Sequence, residues 1–266
     1  MKYLEENFKL YNGNCLEIMK DINEKSVDLI LCDLPYGTTQ CKWDTIIPFK
    51  ELWEQYERII KDNGTIVLTA AQPFTSALIM SNPKLFKYCW IWEKDNASNF
   101  FAAKFQPLNN TEDIVVFSKC GCNNGTKNPI RYYPQGTETI NKEVTNGKSV
   151  DGKIGQAHKT AMKEGRKYKQ TTTGYPFKTL KIQRDGNHIH PTQKPVALME
   201  YLINTYTTEG NLVLDNCMGS GSTGVACINT NRKFIGIELD NTYFDLAKNR
   251  IENAQTHTIY SVYNNL

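Results

Sequence analysis

Short apolar runs alternate with segments of helical hydrophobic spacing along most of the chain. Residues 27–32 and 65–69 are largely apolar runs, the pattern that buried strands of a parallel sheet show. Residues 49–60 place apolar side chains every three or four positions, which predicts an amphipathic helix. By the same criteria the sequence predicts further strands at 87–92, 113–117, 211–214 and 234–237, and further helices at 73–80, 196–206, 221–229 and 243–254.

The order of these elements predicts the fold class. Strands and helices alternate on both sides of a polar middle segment, which predicts a doubly wound, mostly parallel α/β sheet. Asp62-Asn63-Gly64 predicts a turn between the helix at 49–60 and the strand at 65–69. The length of 266 residues suits one such domain with a smaller insertion.

The middle segment, residues 119–187, has no sustained apolar period. It contains 14 Lys or Arg against 5 Asp or Glu, although the net charge of the whole chain is only +3. We therefore predict an inserted region at 119–187 that binds a polyanion, between the two parts of the main domain at 1–118 and 188–266. Aromatic residues are interleaved with this charge, at Tyr132, Tyr133, Tyr168, Tyr175 and Phe177.

Two classes of protein are disfavoured by composition. The eight cysteines form no C-x-x-C pair, so we expect reduced thiols and no metal site. Charged residues interrupt the first ten positions, and no apolar stretch approaches about 20 residues, so we expect neither a signal peptide nor a membrane helix. These features predict a cytoplasmic protein.

A glycine-rich turn follows the strand at 211–214. Asp215 precedes Gly219 and Gly221, a helix begins, and Glu238 ends the next strand 23 residues after Asp215. Glycines let a ligand approach the backbone closely, and an acid at the end of the next strand can accept ribose hydroxyl protons. An acid before the glycines suits a cationic ligand better than a pyrophosphate. The pattern favours a nucleoside cofactor, with a simple strand-to-helix turn as the alternative.

The segment Asp33-Leu34-Pro35-Tyr36 ends the strand at 27–32. The exocyclic amino group of a base is a poor nucleophile, because its lone pair is delocalised into the ring. Asp33 and the Leu34 carbonyl can each accept one of its N–H groups and so direct the lone pair at an electrophilic methyl group. Tyr36 offers a face on which an extruded base can stack. The alternative is an ordinary turn with a packed tyrosine.

Together these motifs resemble the amino-group DNA methyltransferases, in the permuted class in which the catalytic motif precedes the cofactor motif. Residues 27–36 resemble the catalytic strand and D-P-P-Y loop, 215–223 the cofactor loop, and 235–238 the ribose-binding strand end. Residues 12–15 and 190–195 are similar to two further segments of the cofactor pocket, and 111–117 to a segment that lines the target-base pocket. The resemblance implies cofactor contacts by Asn14, Cys15, Asp33, Thr192, Lys194, Asp215, Cys217, Gly219, Ser220, Gly221, Ser222, Thr223, Glu238 and Leu239, and catalytic roles for Asp33, Leu34, Pro35 and Tyr36.

Three positions depart from the family pattern, and none of them removes a catalytic group. Leu34 replaces a proline but keeps its carbonyl, Cys217 stands where the family commonly has phenylalanine, and Asn14 replaces an aspartate that contacts the cofactor's adenine. In family members that carry aspartate at the position of Asp33, the target is mostly adenine. The resemblance therefore implies methylation of adenine N6. For the fold, it implies a sheet of the seven-stranded type.

The resemblance also implies S-adenosylmethionine as cofactor and double-stranded DNA as substrate, methylated by base flipping. It implies that residues 119–187 are the inserted target-recognition region that binds this DNA. It implies a homodimer and a possible cognate restriction endonuclease as partners. Two alternatives stay open, namely methylation of cytosine N4 and a non-catalytic DNA-binding subunit that keeps the fold. An oxidoreductase that uses NAD is disfavoured, because the phosphate-binding glycine pattern is missing.

Overall fold

The computed structural model describes residues 2–5, 7–38, 44–145, 167–186 and 193–263. None of the helices in these ranges is both long and apolar enough to cross a lipid bilayer. The helices are α1 (Cys15–Met19), α2 (Phe49–Ile59), α3 (Phe74–Ser81), α4 (Val196–Tyr206), α5 (Ser222–Asn229) and α6 (Asn241–Tyr263), with a 3₁₀ turn at Phe100–Ala102. The strands are β1 (Lys2–Leu4), β2 (Phe8–Asn12), β3 (Val27–Asp33), β4 (Ile60–Ala70), β5 (Phe86–Ser98), β6 (Asn109–Ser118), β7 (Glu138–Thr145), β8 (Lys167–Thr173), β9 (Thr179–Lys181), β10 (Leu212–Asp215) and β11 (Lys233–Glu238).

One sheet of nine strands forms the main body, in the order β1-β2-β11-β10-β3-β4-β6-β5-β9. The five neighbouring strands from β2 to β4 are parallel. β6 runs antiparallel to both of its neighbours, and β1 runs antiparallel to β2 at one edge. This order confirms the predicted mostly parallel α/β sheet. The seven strands from β2 to β5 match the implied seven-stranded type, and β1 and β9 extend its two edges.

Strand β3 shows why both faces of the sheet are covered by helices. Successive side chains of a strand point to opposite faces. Leu29 and Leu31 pack in the core on the side of α4, α5 and α6, whereas Ile30 and Cys32 pack on the side of α2 and α3. All four are essentially inaccessible to solvent. A strand buried on both faces has to be apolar throughout, which is the pattern that the sequence shows.

The predicted helices and strands of the main domain are present, with ends that shift by a few residues. The predicted turn at 62–64 was wrong, because these residues lie inside β4. The extra residues form an irregularity within β4. Val27 of β3 pairs with Ile60, and Leu29, two positions later in β3, pairs with Thr65. Hydrogen bonding to β3 on both sides of the irregularity keeps β4 continuous, which the local turn composition could not reveal.

The sequence did not predict β2 or α1. β2 is five residues long with two fully buried side chains, too short for a periodic signal. It pairs in parallel with β11 along its whole length, so Asn12 lies opposite Glu238. Asn14 then caps α1 by accepting a hydrogen bond from the Leu16 amide at 2.9 Å. The pairing brings the loop after β2 to the same edge of the sheet as Glu238.

A buried carboxylate fixes the start of β3. Asp28 is 2% exposed and accepts hydrogen bonds from Lys61 at 2.7 Å, Arg131 at 2.9 Å and the Leu212 amide at 3.0 Å. Burial alone would raise the pKa of Asp28, but these donors outweigh it and hold the pKa below its ordinary value. The carboxylate therefore links β3 to β4 and β10.

A second compact unit comprises residues Pro134–Phe177. Its described part is an antiparallel pair of strands, β7 and β8, in which Glu138 pairs with Thr173 and Thr145 with Lys167. The unit lies within the segment 119–187 that the sequence singled out. The DNA-binding role of that segment stays a prediction.

Candidate active site

The carboxyl ends of β2, β3, β10 and β11 surround one cavity of about 600 Å³. This edge is where open α/β sheets bind ligands. Of the predicted site residues, Gly221 is the only described one that does not line the cavity, and Thr192 lies outside the described residues. Those that line it are Asn14, Cys15, Asp33, Leu34, Pro35, Tyr36, Lys194, Asp215, Cys217, Gly219, Ser220, Ser222, Thr223, Glu238 and Leu239.

Asp33 is the last residue of β3, and both of its carboxylate oxygens have partners. Oδ1 accepts a hydrogen bond from the Tyr36 hydroxyl at 2.7 Å and another from the Thr69 hydroxyl. Oδ2 lies 2.6 Å from the ammonium of Lys194. Thr69 is on the neighbouring strand β4, directly opposite Asp33 in the parallel register. The carboxylate is thereby held from three sides while it faces the cavity.

Tyr36 packs against an aromatic partner at the cavity wall. Its ring is stacked on Phe74 with centroids 5.1 Å apart and an interplanar angle of 26°. The ammonium of Lys194 is 5.8 Å from the centroid of the same ring. Burial, followed by the charge of Asp33, raises the pKa of Tyr36 well above its ordinary value. The hydroxyl therefore stays protonated and acts as a donor to Asp33.

The loop after Tyr36 turns sharply at Gly37, whose φ of +68° lies in the region that favours glycine. The amides of Gly37 and Thr38 donate to the two carboxylate oxygens of Asp44, at 2.8 and 2.9 Å. Asp44 therefore closes this loop at its base. Trp43, which follows the catalytic loop closely in the sequence, lies outside the described residues.

Asp215 ends β10 and is 3% exposed. One of its carboxylate oxygens accepts a hydrogen bond from the Cys217 amide at 3.1 Å. Burial raises the pKa of Asp215 to about 7, and the charge of Asp33 adds to this effect. Hydrogen bonds from Thr223, the Cys217 amide and Cys32 act in the opposite direction. The cavity thus holds a carboxyl group that changes charge near neutral pH.

The glycine-rich turn is bound directly to the second acid of the cofactor motif. The Gly219 amide donates to Glu238 Oε2 at 2.8 Å, and the Asp240 amide donates to Oε1 at 2.9 Å. Burial raises the pKa of Glu238 above its ordinary value. Gly221 caps α5 at a φ of +83°, and a Cβ there would lie 3.0 Å from that of Ala247. Gly221 therefore lets α6 pack closely against the turn, on the side away from the cavity.

Arg250 supports the glycine-rich turn from α6, and the sequence analysis did not predict this role. Its guanidinium donates to the Ser220 carbonyl at 2.7 Å and to the Ser220 hydroxyl at 3.1 Å. One arginine on an amphipathic helix carries no local signal that would separate it from a surface charge. The contact depends on the packing of α6 beside α5, which only the fold determines.

Glu112 and Lys94 extend the polar network behind Asp33. Lys194 lies 3.3 Å from Glu112 Oε2, and Lys94 lies 3.2 Å from Glu112 Oε1. Burial alone would lower the pKa of Lys194, but Asp33 and Glu112 outweigh it and raise the pKa. Lys194 is therefore a cation over the whole neutral range. The resemblance implied that residues 111–117 line the target-base pocket, and Glu112 does line the cavity.

Three cysteines, Cys15, Cys32 and Cys217, lie close together beside Asp215. A hydrogen bond with Cys217 is the main cause of a lowered pKa at Cys15, whereas burial raises the pKa of Cys32 to about 12. Cys15 and Cys217 line the cavity. Behind them the Tyr56 hydroxyl donates to the Asn216 side chain at 2.5 Å. Cys217, at the position where the family commonly has phenylalanine, is thus part of the cavity wall.

Comparison with known proteins identifies the family. The model of the DNA methylase family (N6_N4_Mtase) matches residues 27–249. The Type II methyltransferase M2.MboI of Moraxella bovis is 25% identical over 92% of this chain and 88% of its own length. The DNA adenine methyltransferase YhdJ of Escherichia coli K12 is also 25% identical, over 94% of this chain and 84% of its own length.

A solved structure supports the same assignment. The M1.HpyAVI–SAM complex is 26% identical in sequence and superposes with a TM-score of 0.59, covering 91% of this chain and 99% of that chain. The family model spans most of the chain, including the loops that carry Asp33, Asp215 and Glu238. This chain belongs to the DNA methylase family.

Proposed function

We propose that this DNA methyltransferase transfers a methyl group from S-adenosylmethionine to the N6 amino group of an adenine that is flipped out of duplex DNA. The observation that carries the proposal is that Asp33 lines the same cavity as Asp215 and Glu238. A base amino group held at Asp33 and a cofactor held by the two other acids would therefore meet in one enclosed space.

The residues of the cavity fit the cofactor. Asp215 provides a negative charge for the ammonium of the methionine part, and Glu238 provides acceptor oxygens for ribose hydroxyls. At Gly219 a φ of +51° with no atom near the position of a Cβ leaves the backbone open to a ligand. The other predicted cofactor contacts, Thr192 among them, remain part of this proposal, except Asp33 and Lys194, which act on the side of the target base. When bound, S-adenosylmethionine supplies an electrophilic methyl group on a sulfonium.

The catalytic loop orients the nucleophile. Asp33 accepts one N–H of the amino group, and the Leu34 carbonyl accepts the other. Two acceptors draw the nitrogen towards tetrahedral geometry, so that its lone pair is directed at the methyl carbon. Transfer would form the N–C bond at the expense of the methyl–sulfur bond of the donor, and the proton released by the nitrogen would pass to the Asp33 carboxylate. Pro35 stiffens the loop, and Tyr36 packs against the extruded base.

The basic segment 119–187 is proposed to bind the duplex. Its 14 basic and 5 acidic residues give an excess of nine positive charges. Three aromatic side chains at the second compact unit are well exposed, namely Tyr168, Tyr175 and Phe177. Exposed aromatics next to cationic side chains suit phosphate contact combined with base stacking. We therefore assign target recognition to this segment.

Adenine is preferred over cytosine because the catalytic loop begins with Asp33, and because one relative is named a DNA adenine methyltransferase. Methylation of cytosine N4 is the alternative within the same chemistry. A non-catalytic subunit is disfavoured because Asp33, Pro35 and Tyr36 are all present.

Two proposals concern partners, and both rest on the resemblance to the family. A homodimer is expected in sedimentation at micromolar concentration, and a monomeric profile would contradict it. One relative is named a Type II methyltransferase, so a cognate restriction endonuclease is the partner to search for.

Transfer of labelled methyl groups to mixed-sequence duplex DNA tests the function. Digestion of the product to nucleosides should give labelled N6-methyladenine. Asp33→Ala should lower transfer by at least about 10³-fold, because the amino group loses its acceptor, yet leave cofactor affinity within about threefold. The exposed Asp245 on α6 provides a matched control, and Asp245→Ala should behave as the wild type.

Each other outcome has a defined meaning. Labelled N4-methylcytosine would show that the target base is cytosine, the alternative to adenine. Absence of label together with no cofactor binding at millimolar concentration would indicate a non-catalytic subunit. Equal loss of transfer and cofactor affinity in Asp33→Ala would show that Asp33 binds cofactor and is not the acceptor for the amino group.

A further inference from the structure

We propose that Lys194, anchored by Glu112, is a positioning residue that holds the Asp33 carboxylate in the orientation in which it accepts the amino group of the target base. The inference rests on the proposed function and adds two residues to it. The resemblance to the family implied a cofactor contact for Lys194, whereas in the structure its ammonium lies on Asp33 and Glu112.

The two oxygens of Asp33 have different partners. Oδ2 is engaged by Lys194 at 2.6 Å, an ion pair shorter than most. Among the described residues, the donors to Oδ1 are two neutral hydroxyl groups, those of Tyr36 and Thr69. An amino N–H is a neutral donor of the same kind. The ammonium of Lys194 therefore holds the Asp33 carboxylate by Oδ2. Oδ1 can then exchange its hydroxyl donors for the N–H of a base.

The ion pair belongs to a row of four alternating charges. Asp33 pairs with Lys194, Lys194 with Glu112, and Glu112 with Lys94. Along the row the side-chain exposure is 27% at Asp33, 8% at Lys194, 17% at Glu112 and 5% at Lys94. Asp33 is the most accessible of the four, although Glu112 also lines the cavity. The row is thus electrically neutral as a whole, and its more accessible carboxylate is that of Asp33.

The four side chains come from four separate segments of the main body. Asp33 ends β3, Lys94 lies on β5, Glu112 on β6, and Lys194 precedes α4. Strands β5 and β6 are paired next to this site, where Trp92 lies opposite Glu112. A lysine with a purely structural role could pair with any acidic side chain nearby. Lys194 instead pairs with Asp33, the carboxylate that accepts the amino group in the proposed reaction.

Loss of the ammonium has a definite consequence. Without Lys194, Asp33 and Glu112 would be two carboxylates across one cavity with no cation between them. Like charges in a partly desolvated site repel, so the Asp33 carboxylate would rotate or take up a proton. In either state it is a poorer acceptor for the amino group. The defect falls on the chemical step, whereas the groups proposed to bind cofactor are unchanged.

Single-turnover methyl transfer with saturating cofactor and DNA tests the inference. Lys194→Met keeps the length and apolar stem of the side chain, and it should lower the rate by about 10²-fold or more. Affinities for S-adenosylmethionine and for DNA should stay within about threefold of the wild type. Lys194→Arg restores a cation and should recover at least about tenfold of the lost rate.

Glu112→Gln provides a second variant, in case Lys194→Met does not fold. It removes the anchor of Lys194 without touching Asp33, so we expect a smaller rate loss, of about tenfold. Lys20→Met is the matched control, because Lys20 forms an ion pair of similar length with Glu17 on the surface. Its rate should be that of the wild type. In the double variant with Asp33→Ala, Lys194→Met should add almost nothing to the loss.

The outcomes separate this inference from the function on which it rests. A wild-type protein that transfers no methyl group defeats the proposed function. A wild type that does so, with unchanged rates in Lys194→Met and Glu112→Gln, overturns the inference alone. Cofactor affinity that falls as much as the rate in Lys194→Met also overturns it, because Lys194 would then be a cofactor ligand. Additive losses with Asp33→Ala would show that Lys194 acts independently of Asp33.

Discussion

The proposed function makes cofactor binding sensitive to pH through the buried carboxyl group of Asp215. Burial raises the pKa of this group to about 7, so its charge changes near neutral pH. Below that value the group is protonated and no longer attracts an ammonium. Above it the carboxylate is charged and available. In the proposed function, affinity for a cationic ligand therefore falls as the pH is lowered through 7.

The affinity for S-adenosylmethionine should be about tenfold weaker at pH 6 than at pH 8, as measured by isothermal titration calorimetry. Adenosine is the control ligand, because it keeps the ribose that Glu238 would bind and lacks the ammonium. Its affinity should change much less over the same range. An equal change for both ligands would assign the effect to Glu238, and no change would contradict the charge role of Asp215.

At the scale of the element, the close packing of α5 sets the shape of the glycine-rich turn. Gly224 lies within α5, and a Cβ at this position would meet Ile251 of α6 and lie 2.8 Å from the ring of Phe234 on β11. The sequence shows Gly224 only as a third glycine after the turn. Glycine is needed at this position because α5 packs closely against β11 and α6. This packing keeps the start of α5 close to the end of β10.

Gly224→Ala should lower the free energy of unfolding by about 1–3 kcal/mol, because overpacking outweighs the gain of about 1 kcal/mol in helix propensity. Urea denaturation measures the change. Gly186→Ala is the matched control, since no atom lies within 4 Å of a Cβ there, and its stability should stay within about 0.5 kcal/mol. A stabilised Gly224→Ala variant would mean that α5 can move away from β11.

At the scale of the whole molecule, charge is distributed unevenly. The net charge of +3 conceals an excess of nine positive charges within 119–187. Binding that neutralises phosphates releases counterions, so its affinity depends steeply on salt. The described strand β8 carries Lys167 and Lys169, both exposed. These two lysines are accessible places at which to test whether the segment contacts DNA.

The affinity for duplex DNA should fall by roughly 10²- to 10³-fold between 50 and 200 mM salt, if about five phosphates are contacted. Fluorescence anisotropy of labelled DNA measures the slope. Changing both Lys167 and Lys169 to Gln should reduce the slope by about two, with cofactor affinity unchanged. Lys20→Gln serves as the control and should keep the wild-type slope. A slope that the β8 variant does not alter would remove these lysines from the DNA interface.

The sequence alone determined the elements and the chemistry carried at their ends. The apolar runs of β3 and β10 are necessary for strands buried on both faces, and they lead directly to Asp33 and Asp215. Strand β2 escaped prediction, because five residues with two buried side chains give too short a pattern. The predicted turn at 62–64 was wrong for a related reason, because pairing with β3 overrides local turn preference.

Only the tertiary structure decided which of these ends meet. Thr69 faces Asp33 through the register of β3 with β4, and Lys194 reaches Asp33 across 161 positions of sequence. Lys94 and Arg250 have no local signal, because a charged residue on a strand or helix looks the same whether it faces solvent or a polar partner. Glu112 was marked only through the resemblance of residues 111–117 to a family segment, which did not indicate its contact with Lys194. Contacts between distant segments follow from strand order and packing, which are properties of the whole chain and not of any window along it.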